Sequence, residues 1–90
     1  MKKSEWKIVW LKSAQRQFRK LDQNQQKVIE KYIDRLLELE NPLVRAEQLT
    51  GDWSGCWRFE IGKYRLICEV FDEVLLIEIF KVAKRDKAYD

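Results

Sequence analysis

Ninety residues, 46% of them apolar and 37% charged, carry 18 Lys/Arg against 15 Asp/Glu and no His, for a formal net charge of +3. The length fits one globular domain, residues 1–90, and no apolar stretch approaches the ~18 residues of a membrane-spanning helix. Two cysteines without a histidine give no zinc-ligand pattern, so neither a metal nor a cofactor is expected. No apolar core follows Met1-Lys2-Lys3, which reads as a cytoplasmic chain without a secretory leader. Four Trp, four Phe and three Tyr fill a small core efficiently.

Glu5 to Leu11 alternates imperfectly and suits a first strand. Ser13 is placed to cap a short helix whose buried stripe is Ala14, Phe18 and Leu21. Arg16 and Lys20 fall on its polar side. Asp22 then caps a second helix, with Gln25 three residues on. Ile29, Tyr32, Ile33, Leu36, Leu37 and Leu39 form its apolar stripe, and Asn41-Pro42 ends it because the residue before a proline is pushed out of the α region. The helices form a hairpin with almost no loop between them.

Pro42 to Gly55 reads as irregular. Three strands follow: Cys56–Ile61, Tyr64–Phe71 after the Gly62-Lys63 turn, and Val74–Val82 after Asp72-Glu73. Two-residue connections make these strands antiparallel neighbours. The predicted architecture is α+β, in the order β-α-α-β-β-β: a helical hairpin packed on one face of a twisted antiparallel sheet.

Side-chain alternation turns Trp57, Phe59, Ile61, Leu66, Ile77 and Ile79 toward the helices. The uncovered face then carries Arg58, Glu60, Arg65, Ile67, Glu69, Glu78 and Phe80. By the same parity Cys56 and Cys68 lie on opposite faces and stay free thiols. Charge is uneven: residues 1–24 hold seven Lys/Arg against two acids, and residues 56–90 hold seven against seven. One reading of the open face is a solvated surface laced with cross-strand ion pairs. The other is an anion site, because Arg58 and Arg65 sit on neighbouring strands and Lys84-Arg85 follows the next. A guanidinium fork matches two phosphate oxygens at once.

The succession Leu49-x-Gly51, Ser54-Gly55-x-Trp57-Arg58, Gly62-x-Tyr64-Arg65-Leu66-Ile67 and Lys84-Arg85-x-x-x-Tyr89 resembles the RelE/ParE superfamily of toxin–antitoxin toxins over essentially the whole chain. The resemblance implies a small toxin neutralised by a RelB-like antitoxin. Its RelE branch cleaves messenger RNA in the decoding site of the ribosome, without a metal. The 2′-hydroxyl attacks the adjacent phosphate, leaving a 2′,3′-cyclic phosphate and a 5′-hydroxyl. Its ParE branch shares the fold and poisons DNA gyrase. A third possibility is a decayed toxin that binds only its antitoxin.

On the nuclease branch the resemblance matches Arg65 to the strand arginine that grips phosphate, Arg85 to the arginine after the last strand, and Tyr89 to the tyrosine that positions the substrate base. Arg58 occupies a slot that is often basic, and Arg16 and Lys20 would meet RNA backbone. Two positions depart from the pattern. Glu60 stands where RelE has a second lysine, and Lys84 where many members have histidine. A lysine there suits charge stabilisation better than proton transfer. Glu47 is the first candidate for general base and Glu60 the second.

Overall fold

The computed structural model describes residues 5–85. Strand β1 (Lys7–Trp10) leads through Leu11 into α1 (Lys12–Arg19) and then α2 (Gln23–Leu36). After a 3₁₀ turn at Pro42–Arg45 come the two-residue strand β2 (Glu47–Gln48), a second 3₁₀ turn at Gly51–Trp53, β3 (Trp57–Ile61), β4 (Tyr64–Phe71) and β5 (Leu76–Lys84). The strands form one sheet in the order β1-β5-β4-β3-β2.

The α+β architecture and the order of the expected elements match the expectation, with a short extra strand, β2, in the segment read as irregular; the sheet is mixed, since β1 runs parallel to β5, with Ile8 opposite Ile77, and the other pairs are antiparallel. Parallel pairing of β1 with the last strand needs a long crossover, which the helices and the β2–β4 segment supply.

Asp22 caps α2 as expected, its carboxylate accepting from Gln25 N at 2.9 Å. Ser13 caps nothing. Leu11 holds the N-cap position of α1, and Ser13 Oγ instead donates to Phe80 O at 2.8 Å. The second helix is shorter than its apolar stripe, since Leu37 already caps its C-terminus and Leu39 packs on the core from the following turn. β5 starts at Leu76 rather than Val74 because Asp72–Val74 is a 3₁₀ turn and Leu75 is left-handed at φ 53°.

The core is built from Ala14, Ile29 and Leu36 of the helices against Phe59, Ile61, Leu66, Cys68, Ile77, Ile79 and Val82 of the sheet. Trp57 is only half-buried. A bulge explains the step from Ile79 to Val82. Cys68 pairs with Ile79 and Ile67 with Lys81, so Phe80 is the extra residue and the inward phase resumes at Val82. The bulge turns Lys81 onto the face away from the helices. That face is not bare: Ile67, expected in the open, is fully buried there. Trp53 stacks on Phe80 with centroids 6.2 Å apart and planes at 14°, and Lys81 Nζ lies 5.3 Å from the Trp53 ring centroid. The Gly51–Trp53 turn thus brings an aromatic ring against this face. Both cysteines are free thiols, Cys68 buried and Cys56 half-buried.

Candidate anion-binding site

The hairpin of β3 and β4 sets the site. Its register is fixed by the two-residue Gly62-Lys63 turn, in which Gly62 takes a φ of 58° that a residue with a Cβ adopts only under strain. This register places Glu60 opposite Arg65 and Arg58 opposite Ile67, all on the face away from the helices. On the outer edge β2 places Glu47 opposite Arg58. On the inner side Ala83 lies opposite Arg65.

Three guanidiniums meet at Glu60. Its Oε2 is 3.3 Å from Arg65 Nε and 3.5 Å from Arg58 Nε, and its Oε1 is 3.6 Å from Arg85 Nη2. Arg85 reaches this point because its backbone N–H donates to Lys63 O at 2.9 Å and its Nη1 donates to Gly62 O at 3.3 Å. The end of β5 is thereby tied back over the hairpin turn. Arg58 also grips Glu47: Nε donates to Oε1 at 2.9 Å, and Nη2 closes on the same oxygen. Arg65 is the most buried of the three, at 17% exposure, and Arg85 the most open at 51%.

Exposed pairs of this kind contribute only about 0–1 kcal/mol each to stability. Gathering two strand cations and Arg85, just past β5, into one spot costs mutual repulsion, which the two glutamates offset. Among the described residues Arg58, Arg65, Arg85, Glu47 and Glu60 together carry three positive and two negative charges.

Beside this cluster, at the hairpin end of the sheet, an open depression of about 700 Å³ is lined by Lys63, Arg65, Lys84 and Arg85, with Asp22 and Gln25 from the start of α2. Among the described residues four cations face one carboxylate there, so the depression suits an anionic ligand. Among the described residues no group of three or more His, Cys, Asp or Glu is placed to hold a metal ion.

The sequence candidates divide accordingly. Arg58, Glu60, Arg65, Arg85 and Glu47 are brought together, and Lys84 lines the adjoining depression. Arg16 on α1 and Lys20 at its C-cap stand exposed and line neither feature. Tyr89 lies outside the described residues. Sequence reasoning missed Lys63, which parity alone could not place in the depression, and Lys81, which strict alternation turns toward the helices and the bulge turns out.

Comparison with known proteins bears on the family and the fold. The family model for the ParE toxin of the type II toxin–antitoxin system parDE matches residues 8–89. A search of the curated proteins returns no match. Among solved structures, the toxin–antitoxin complex RelBE2 from Mycobacterium tuberculosis aligns at 24% identity and a TM-score of 0.79, covering 89% of this chain and 98% of that one. The archaeal RelE–RelB complex from Pyrococcus horikoshii aligns at 25% identity and 0.70, covering 92% and 98%. The isolated RelE toxin of E. coli aligns at 21% and 0.69, covering 93% and 88%.

Proposed function

The chain belongs to the ParE toxin family of type II toxin–antitoxin systems, and from that premise we propose that it is a ribosome-dependent endoribonuclease that cuts messenger RNA. The supporting observation is the convergence of Arg58, Arg65 and Arg85 on one point, 3.3–3.6 Å from a single carboxylate. A phosphorane formed by 2′-hydroxyl attack gains negative charge on its equatorial oxygens, and preorganised guanidiniums stabilise that charge more than they stabilise the substrate.

In this reading Arg65 and Arg85 grip the scissile phosphate and Arg58 neutralises the developing charge. Glu47 stands at the sheet edge, 61% exposed, where an RNA strand has access to it, and it takes the 2′-hydroxyl proton while the P–O5′ bond breaks and the departing 5′-oxygen takes a proton from water. Glu60, enclosed by the arginines, is the weaker candidate for that task. Lys84 supplies charge at the rim, and Tyr89 orients the nucleotide. No step calls for a metal. Arg16 and Lys20, outside the cluster, serve as backbone contacts to ribosomal RNA through salt-sensitive attraction. Free RNA is a poor substrate because the site offers few contacts to hold it. The partner that silences the toxin is a RelB-like antitoxin.

A second reading draws on the matched ParE family and on Glu60, which stands where the RelE pattern has lysine: a toxin that acts by contact with DNA gyrase. Induction of the wild type beside Arg65→Ala and Arg85→Ala, with transcript 5′ ends mapped, separates the two. Cuts inside translated messages, absent in both variants, support the nuclease. Growth arrest with intact transcripts and damaged DNA refutes it in favour of gyrase.

A further inference from the structure

Glu60 stands where a ligand of the three arginines would stand. One carboxylate oxygen faces Arg58 and Arg65 at 3.5 and 3.3 Å and the other faces Arg85 at 3.6 Å. These separations exceed the ~2.7–2.9 Å of closed charge-assisted hydrogen bonds, so each contact can be given up at small cost. The side chain is 30% exposed, open enough to swing aside. Arg58 has a second anion in Glu47 and Arg85 a second acceptor in Gly62 O, and both anchors persist when Glu60 leaves. Arg65 is held by burial within β4.

We propose that Glu60 is a resident counter-anion that competes with phosphate for Arg58, Arg65 and Arg85 and so sets the affinity and selectivity of the site. It keeps the guanidiniums from repelling one another while the site is empty. A lone phosphate or a short free RNA must displace it and gains little. A phosphodiester delivered by further contacts displaces it readily, and the arginines then transfer from carboxylate to phosphate. The inference rests on the reading of the cluster as a phosphate site, and it is independent of whether the cellular target is messenger RNA or gyrase.

If Glu60 were needed to position the guanidiniums for the ligand, removing its charge would splay them and weaken binding. The two roles therefore differ in sign. The test is calorimetric titration of the purified toxin and its Glu60→Gln variant, at low ionic strength. The probes are inorganic phosphate and a 2′-O-methyl RNA trinucleotide, which cannot be cut by 2′-hydroxyl attack. Glu60→Gln should bind both probes about tenfold more tightly than the wild type, a factor equivalent to 1.4 kcal/mol. Adding Arg65→Ala to that variant should abolish the gain, which places the effect at this cluster.

Thermal unfolding gives a second readout. Phosphate should raise the midpoint of Glu60→Gln clearly more than that of the wild type. Glu60→Ala serves the same comparison if the glutamine variant does not fold. Equal or weaker binding by folded Glu60→Gln overturns the resident anion, whatever transcript mapping shows. Tighter binding sustains it even where transcripts stay intact and the nuclease reading falls.

Discussion

Gln17 Oε1 accepts a hydrogen bond from the backbone N–H of Val82 at 2.7 Å, joining α1 to β5 just past the bulge. One helical turn earlier, Ser13 Oγ donates to Phe80 O at 2.8 Å. β1 pairs with β5 only as far as Ile79, so beyond it the edge of β5 has no strand beside it. The two α1 side chains take the place of that strand. They fix the phase in which Lys81 and Ala83 face outward and Val82 inward, and so the direction from which Arg85 approaches the hairpin turn.

Replacing Gln17 with alanine leaves the part-buried Val82 N–H without its acceptor. The expected loss is about 1–3 kcal/mol of unfolding free energy, the cost of an unmade buried hydrogen bond. Ser13→Ala removes a donor at an exposed carbonyl and should cost about 0.5–1.5 kcal/mol. Urea unfolding of the two variants checks the ranking, and a smaller loss for Gln17→Ala than for Ser13→Ala contradicts it.

Much of this arrangement is legible in the chain because period-2 alternation is a local signal. Trp57 to Ile61 alternates cleanly, Tyr64 to Phe71 does so except for the apolar Ile67 and Phe71, and Gly62-Lys63 fixes their register, so Glu60 and Arg65 fall on one face by parity alone. Asp22 with Gln25 announces the start of α2 in the same local way. What escapes is non-local. Two residues of β2 carry no period, so the pairing of Glu47 with Arg58 could not be read. Parallel pairing of β1 leaves no trace in its own residues. The bulge at Phe80 depends on contacts with α1, and the burial of Ile67 reflects a face that Trp53 and Phe80 cover in part. The return of Arg85 over Gly62 is set by the end of β5 and not by any motif.

Arg65 is the arginine least open to solvent, and its loss should hurt activity most. Removing a donor that acts mainly on transition-state charge lowers rates by about 10²–10³. On the nuclease reading, Arg65→Ala should reach that range in a ribosome-programmed cleavage assay, with Arg85→Ala and Arg58→Ala no worse. Arg65→Lys should restore little, because an ammonium cannot reproduce the planar fork. Full activity in Arg65→Lys would remove the geometric part of this assignment.

Glu47 and Glu60 make opposite predictions as bases. Glu47→Gln keeps the shape of the side chain and a hydrogen-bond acceptor for Arg58 but cannot take a proton, so cleavage should fall about 10²–10⁴-fold with trinucleotide binding almost unchanged. Glu60→Gln should retain cleavage on the ribosome. If Glu60→Gln is inactive and Glu47→Gln is normal, the proton acceptor is Glu60 and the assignment of Glu47 is wrong.

Burial pushes the Cys68 thiol well above its ordinary value of 9.0, and the neighbouring Cys56 raises it further. A raised thiol pKa favours the neutral form in the folded state only. Below 9.0 the thiol is neutral in both states and its contribution to stability is complete. Above that pH the unfolded chain ionises and the folded chain does not, so stability is lost as pH rises, by up to about 1.4 kcal/mol per pH unit. Burial also raises Tyr32, with the same sign, but that loss is common to the wild type and a Cys68→Ala variant. The difference between them isolates the thiol. Urea midpoints followed upward from pH 8 should therefore fall more steeply for the wild type than for Cys68→Ala, even though the variant starts lower because of the cavity it opens. Thiol reagents at pH 8 should label half-buried Cys56 first and reach Cys68 only on unfolding. Parallel slopes, or early labelling of Cys68, would mean that the sheet opens around β4 far more readily than its packing against Phe59 and Ile79 implies.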